Sequence, residues 1–200
     1  MNILNFLFPK YCLECGANGK YICDECLKKV SPARSDNTNY SIFKYEGVIR
    51  KAIISLKYKF AYDLADELVS VCTRQLISMH YTLNPILIPI PLFWQRQNWR
   101  GFNQSEIIGE KLAKQMNWKY VPDLLIRNKN TSPQVGLKGS VRRSNLSGVF
   151  KVCSNYTLYP KPCTLVLFDD VYTTGSTINE VKKVLIDAGF KNIKSITIAR

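Results

Sequence analysis

The sequence has no uninterrupted apolar run that approaches the ~18 residues of a membrane-spanning helix. The apolar stretch at residues 85–94 is interrupted by three prolines. Residues 1–9 are apolar as well, but they are too few for a secretory signal, and no positive charge precedes them. These absences predict a cytoplasmic protein, in which cysteines stay reduced.

Histidine and acidic residues are also scarce. The single histidine, His80, has no nearby partner in the sequence, so we assign it no chemistry. The 15 Asp and Glu residues stand against 28 Lys and Arg, which gives a formal net charge of +13. Such an excess attracts polyanions, namely nucleic acid, anionic lipid or phosphate-rich small molecules. A solvated basic surface without a ligand is the alternative interpretation.

Four of the seven cysteines form two CxxC pairs that are separated by seven residues: Cys12, Cys15, Cys23 and Cys26. A gap of two residues lets both thiolates of a pair converge on one ion, and zinc takes four such ligands in a tetrahedron. All four positions are then filled, so the predicted Zn²⁺ is structural. Buried or redox-active cysteines are the alternative. The remaining cysteines lie singly in apolar segments and are predicted core residues: Cys72, Cys153 and Cys163.

The chain divides into a cysteine-rich part and a longer patterned part. We predict a small four-cysteine zinc module over residues 1–32, a linker over 31–39 and one α/β domain over 40–200. Apolar spacing predicts helices over 47–58, 64–77, 103–116 and 177–188. Apolar or alternating runs predict strands over 40–45, 86–90, 124–127, 150–153, 164–168 and 193–198. Because strands and helices alternate in the second half, a parallel sheet flanked by helices is favoured.

The sharpest motif is LVLFDDVYTTGST at residues 165–177. An apolar strand ends in Asp169 and Asp170, and a turn rich in hydroxyl groups and glycine leads into a helix. Ligands of parallel α/β sheets bind at the carboxyl ends of the strands, and a helix N-terminus favours an anion. The turn residues offer hydroxyls and backbone N–H groups to a phosphate: Thr173, Thr174, Gly175, Ser176 and Thr177. Neither a P-loop nor a GxGxxG turn is present.

The two carboxylates would repel a phosphate, so they are expected to face something else. Vicinal hydroxyls of a sugar or a metal ion would suit Asp169 and Asp170. Acids for ribose hydroxyls beside a cradle for a 5′-phosphate together predict a sugar-phosphate site. An ordinary strand–turn–helix without a ligand is the alternative.

Residues 165–177 closely resemble the phosphoribosyl-diphosphate (PRPP) motif of type I phosphoribosyltransferases. Further segments resemble the ComF family, the ComFC/GntX-like group associated with natural transformation. They include the cysteine pairs, Arg100-Gly-Phe-Asn-Gln104, Pro133-Gln-Val-Gly-Leu137 and the closing Thr197-Ile-Ala-Arg200. The resemblance implies a type I phosphoribosyltransferase-like fold over 40–200, a site for Mg²⁺ with PRPP, and a role in handling incoming single-stranded DNA.

The resemblance also implies two accessory loops. A loop after an early strand binds pyrophosphate in type I phosphoribosyltransferases, and residues 89–100 fit that position, with Arg96 and Arg100 as diphosphate ligands. A mobile loop covers the PRPP site, and the patternless residues 131–148 fit it, with Lys138, Arg142 and Arg143. A solvated face is the alternative for the first pair, and a disordered surface loop is the alternative for 131–148.

Basic and aromatic residues alternate between residues 94 and 151, where 11 Lys or Arg accompany only 3 Asp or Glu. Cations that follow a backbone and aromatic rings that stack on bases hold single strands without reading sequence. We predict Trp94 and Trp99 as stacking residues, whereas Trp118 and Tyr120 fit the core better. Lys57 is a weaker candidate that could reach a ligand phosphate or a nucleic acid.

Two functions remain open on the sequence. The first is a phosphoribosyltransferase that uses Mg²⁺–PRPP and an unknown acceptor, for which no residue is an evident general base. The second is a non-catalytic protein that binds single-stranded DNA or acts as an adaptor, with the PRPP site as a sensor. In either case the zinc module could dock a protein of the recombination or competence machinery.

Overall fold

The fold is described from a computed structural model. The structure describes residues 9–33, 35–59, 62–78, 85–128, 148–154 and 163–200. His80, Lys138, Arg142 and Arg143 lie outside these residues, as does nearly all of the loop predicted over 131–148.

Four of the six helices among the described residues follow the apolar spacing of the sequence. In chain order the six are α1 (Asp24–Lys28), α2 (Gly47–Lys59), α3 (Tyr62–Ser78), α4 (Trp94–Arg100), α5 (Gln104–Met116) and α6 (Ser176–Asp187). The four that follow the spacing are α2, α3, α5 and α6. Asn103 caps α5, since its side chain accepts a hydrogen bond from the backbone N–H of Ser105. Asn117 ends the same helix in the left-handed conformation.

The strands form one parallel sheet and one short antiparallel pair. They are β1 (Asn39–Phe43), β2 (Ile86–Pro89), β3 (Lys119–Tyr120), β4 (Leu125–Arg127), β5 (Phe150–Val152), β6 (Thr164–Val171) and β7 (Asn192–Ala199). The five-stranded sheet has the order β1-β7-β6-β2-β3, with every neighbouring pair parallel. β4 and β5 pair separately. The predicted parallel sheet flanked by helices is therefore confirmed.

Apolar side chains cover both faces of the sheet. On one face, residues of α2, α3 and α5 pack against Leu87, Val166 and Phe168. On the other face, α6 and the β4–β5 pair pack against Ile88, Leu165 and Leu167. Burial on both faces explains why the central strands are nearly continuous apolar runs.

Three sequence expectations need correction. Residues 89–100 were expected as a loop, but 94–100 form α4, which Gly101 ends with φ 76°. Strand β6 does not stop at 168: it continues through the acid pair, because Asp169 pairs with Thr197 and Val171 with Ala199 on β7. Of the cysteines predicted for the core, Cys72 is buried, but Cys153 and Cys163 are only half-buried.

The cysteine-rich segment packs onto the sheet domain. Cys12, Ile22 and Cys26 belong to the same apolar cluster as α2 and α3. Glu67 of α3 accepts hydrogen bonds from the backbone N–H groups of Tyr21 (2.8 Å) and Ile22 (3.1 Å). The division at residues 1–32 and 40–200 stays a prediction. No helix among the described residues is long and apolar enough to cross a membrane.

Candidate functional site

The acid pair lies in the last residues of β6, just beyond the point where the neighbouring β2 ends. Pro89 of β2 pairs with Phe168 of β6, and the N–H of Ile90 donates to the Phe168 carbonyl at 2.9 Å. Asp169 and Asp170 follow directly, at the carboxyl edge of the sheet. This is the edge at which parallel α/β sheets bind ligands.

Asp169 is held by two hydrogen bonds to one of its oxygens. The Ser105 hydroxyl and the Asp170 backbone N–H each donate to Oδ1 at 2.9 Å. Burial, followed by the neighbouring charge of Asp170, raises the pKa of Asp169 to about 7. The site thus contains a carboxyl group that titrates near neutrality.

Asp170 is paired with a lysine from α2. The Nζ atom of Lys57 lies 2.7 Å from Oδ2 of Asp170, and the two side chains are 21% and 13% exposed. Burial disfavours the charged form of Lys57, but the Asp170 charge outweighs it, so the pKa of Lys57 is raised. Lys57 contacts Asp170 in this structure, and its predicted contact with a phosphate or a nucleic acid stays a prediction.

The predicted phosphate turn follows β6 and begins α6. Gly175 caps the helix with φ 73°, and the Tyr172 ring occupies the space that a Cβ at this position would need. The hydroxyls of Thr174 and Ser176 are 2.7 Å apart. A small pocket is lined by Asp169 and the turn, with Thr173, Gly175, Ser176 and Thr177 around it. The motif residues are therefore brought together.

The start of α5 completes this edge with residues for which the sequence predicts no role. The Asn103 side chain donates to the Ile90 carbonyl at 3.1 Å and to Glu106 at 3.0 Å. Gln104 is 2% exposed, and its Nε2 atom has no hydrogen-bond partner. The segment Arg100–Gln104 was singled out in the sequence, and its position before a helix was the available signal for Asn103, Gln104 and Ser105.

The predicted DNA and diphosphate residues lie on α4, between β2 and α5. Trp94 and Trp99 are 58% and 71% exposed. Five helical positions correspond to about 140° around the axis, so the two indoles do not share a face. The structure describes the backbone of Arg96 and Arg100 but not their side chains. Trp118 is buried, as predicted, whereas Tyr120 is only half-buried and packs against the same apolar cluster.

The four spaced cysteines form a compact cluster. The Sγ atoms of Cys12, Cys15, Cys23 and Cys26 all lie within 4.8 Å of one another, and those of Cys15 and Cys23 are 3.7 Å apart. Tetrahedral zinc with Zn–S bonds of about 2.3 Å places its sulfurs about 3.8 Å apart. The four thiols therefore fit a structural zinc ion.

Comparison with known proteins gives relatives along almost the whole chain, although no family model matches it. Competence protein F of Haemophilus influenzae is 29% identical over 199 residues, which cover 96% of this chain and 85% of that protein. DNA utilization protein YhgH of Escherichia coli K12 is 27% identical, with 89% and 78% covered. Competence protein ComFC of Streptococcus pneumoniae is 28% identical, with 94% and 87% covered.

Among solved structures, a chain described as the allosteric regulatory enzyme of purine biosynthesis shows 14% identity and a TM-score of 0.41. The match covers 66% of this chain and 25% of that one, a likeness too distant to inform the site. The relatives named above match nearly the full sequence. The chain is therefore similar, over nearly its whole length, to proteins named for competence and DNA utilization.

Proposed function

We propose that the chain binds PRPP with Mg²⁺ at Asp169, Asp170 and the Thr173–Thr177 turn, and acts as a phosphoribosyltransferase in DNA uptake. The observation that carries the proposal is the placement of an acid pair and a phosphate turn at one carboxyl edge of a parallel sheet. The N-terminus of α6 and the left-handed Gly175 favour a bound phosphate there.

Each part of the site has a role in this proposal. The turn holds the 5′-phosphate, Asp170 accepts hydrogen bonds from ribose hydroxyls, and Arg96 and Arg100 steady the diphosphate. An acceptor nucleophile bonds to C1 of the ribose while the C1–O bond breaks, and pyrophosphate leaves with the bonding electrons. Mg²⁺ supplies charge neutralisation for that leaving group. Preorganised donors stabilise the charge that develops on it.

The relatives support the cellular context of the proposal. Competence and DNA-utilization proteins are the relatives of this chain, and its +13 charge suits a polyanion. In this proposal single-stranded DNA, in the cytoplasm, contacts the exposed Trp94 and Trp99 on different faces of α4 and the basic Lys138, Arg142 and Arg143. Structural Zn²⁺ at the four cysteines stabilises the N-terminal module, which could dock a competence or recombination protein.

The test of the ligand is calorimetric titration of the zinc-loaded protein with PRPP and Mg²⁺. Wild type is expected to bind, and Asp170→Asn is expected to bind at least about tenfold more weakly, since a charge-assisted hydrogen bond is lost. Asp123→Asn removes an exposed carboxylate elsewhere and serves as the matched control. Absence of binding by wild type, or equal binding by Asp170→Asn, would overturn the assignment.

The second candidate function is a non-catalytic DNA-binding or adaptor protein that senses PRPP. The exposed Trp94 and Trp99 support a DNA-binding protein without catalysis as much as they support a phosphoribosyltransferase. Release of pyrophosphate from PRPP in the presence of candidate acceptors, including single-stranded DNA, separates the two. PRPP binding without any release supports the sensor.

The DNA contacts have their own measurement. Replacing both Arg142 and Arg143 by Ala is expected to weaken single-strand binding. The slope of log K against log salt concentration should become shallower by about 0.7 for each lost phosphate contact. The matched control replaces Lys183 and Lys191, which are exposed on the α6 side. An equal effect of both double variants would mean that Arg142 and Arg143 contribute to DNA binding only through the overall charge of the protein.

A further inference from the structure

Lys57 and Asp170 form an ion pair that is more enclosed than a typical surface salt bridge. The two side chains are 21% and 13% exposed and their charged atoms lie 2.7 Å apart. On the same helix, Lys51 pairs with Glu14 at 3.2 Å, but those side chains are 46% and 36% exposed. Lys57 therefore differs from its neighbour in being held inside the site.

We propose that Lys57 is the resident counter-ion of the acid pair: it positions Asp170 for the ribose and excludes a divalent cation from the two carboxylates. The ribose part of this inference rests on the proposed function. The metal part depends only on Lys57, Asp169 and Asp170.

One oxygen of each carboxylate already has a partner. Oδ1 of Asp169 accepts hydrogen bonds from Ser105 and from the Asp170 backbone, and Oδ2 of Asp170 accepts the Lys57 ammonium. A divalent cation on the remaining oxygens would lie close to the Lys57 ammonium, and the two positive charges would repel each other. Displacing Lys57 would instead leave its partly buried charge without a partner. Lys57 therefore disfavours a divalent cation on the acid pair.

The same charge favours a phosphorylated ligand. Two adjacent carboxylates without a cation would repel a ribose phosphate. Solvent screens this repulsion weakly, because the carboxylates are partly buried. Lys57 offsets one of these charges and fixes Oδ2 of Asp170. The other Asp170 oxygen then accepts hydrogen bonds from ribose hydroxyls. Lys57 is thus a positioning residue that acts through Asp170.

The first experiment uses Mn²⁺ alone, detected by water-proton relaxation with zinc-loaded protein. Lys57→Gln is expected to gain a Mn²⁺ site that the double variant Lys57→Gln/Asp170→Asn lacks. Wild type and the matched Lys51→Gln variant are expected to show no site that depends on Asp170. Lys57→Met, which keeps the length without the charge, replaces Lys57→Gln if the latter does not fold. Mn²⁺ binding by wild type that Asp170→Asn abolishes, or no gain in either uncharged variant, would overturn the inference.

The second experiment titrates ribose 5-phosphate with and without added Mg²⁺. Lys57→Gln is expected to bind at least about tenfold more weakly than wild type without Mg²⁺ and to regain most of that loss with it, while Lys57→Arg stays near wild type. An equal loss under both conditions would indicate a merely structural lysine and contradict the positioning role. If wild type binds neither ribose 5-phosphate nor PRPP, the proposed function fails, and the Mn²⁺ result still decides whether Lys57 excludes metal.

Discussion

The Ser105 hydroxyl donates a 2.9 Å hydrogen bond to Oδ1 of Asp169 and so joins the first turn of α5 to the end of β6. The two residues are 64 positions apart in the chain. Asp169 is also an acid that burial tends to protonate, and the Ser105 bond opposes that tendency. Ser105 therefore affects both the orientation and the charge of the acid pair.

Ser105→Ala is expected to weaken PRPP binding about fivefold, which corresponds to one ordinary hydrogen bond of about 1 kcal/mol. Calorimetric titration measures the affinity. Ser78→Ala is the matched control, because the Ser78 hydroxyl donates to the Gln75 carbonyl at the end of α3. Unchanged affinity in Ser105→Ala would show that the bond does not serve the ligand.

Asp169 is expected to make the folded protein less stable as the pH rises toward neutrality. Its folded pKa is raised from 3.8 to about 7, so the folded state binds more protons than the unfolded state between these values. The free energy of unfolding should then fall as pH rises from about 4 to about 7, by on the order of 3 kcal/mol from this group. Urea unfolding at several pH values measures it.

Asp169→Asn should flatten that pH dependence, because the titrating group is gone. Asp123→Asn, an exposed acid without a buried partner, should leave the slope as in wild type. The same slope in both variants would place the titrating group elsewhere.

Zinc binding should require the four clustered cysteines and none of the others. Cys15 is exposed, so Cys15→Ser removes a ligand without opening a cavity. We expect wild type to contain one zinc ion per chain by elemental analysis and Cys15→Ser to lose most of it along with thermal stability. Cys153→Ser, outside the cluster, should keep the metal. Equal zinc content in both variants would contradict the assignment.

Gly175→Ala should disrupt the phosphate turn more than backbone strain alone would. The added Cβ meets the Tyr172 ring at a residue with φ 73°. Gly16 has nearly the same φ, 77°, but open space around it, so Gly16→Ala reports the strain by itself, about 1 kcal/mol. Thermal unfolding and PRPP titration should both show a larger loss for Gly175→Ala. Equal losses of stability in the two variants would mean that the Tyr172 ring moves to accommodate the added Cβ.

Local patterns predicted much of this fold. Apolar spacing predicted α2, α3, α5 and α6 to within a few residues, and the run before Asp169 predicted the central strand. Helix α4 was missed because Trp94–Arg100 has no apolar periodicity and no side-chain cap at Phe93. Its left-handed Gly101 was the one local signal of a helix end.

The site was predictable only where it is contiguous in sequence. The acid pair and the turn lie within one motif, whereas Lys57 and Ser105 reach the acid pair through the packing of α2 and α5 on the sheet. The sequence predicts Lys57 only as a weaker phosphate or nucleic-acid contact and predicts no role for Ser105. Gln104, which is buried with no hydrogen-bond partner at Nε2, shows most clearly why burial of a polar residue cannot be predicted from its type. Its residue type predicts an exposed position, and only the packing around the start of α5 buries it.

The parallel sheet also constrains when this protein can acquire its structure during synthesis. Asn39 of β1 pairs with Ser195 of β7, and Ile86 of β2 pairs with Leu165 of β6. An emerging chain therefore exposes its first strands before their partners exist, and long-range pairing is slow because loop closure precedes it. The acid pair reaches its final setting only after residues 192–199 have left the ribosome. The ligand site is thus among the last features to form, and a chain truncated before β7 would expose an unpaired strand edge in its place.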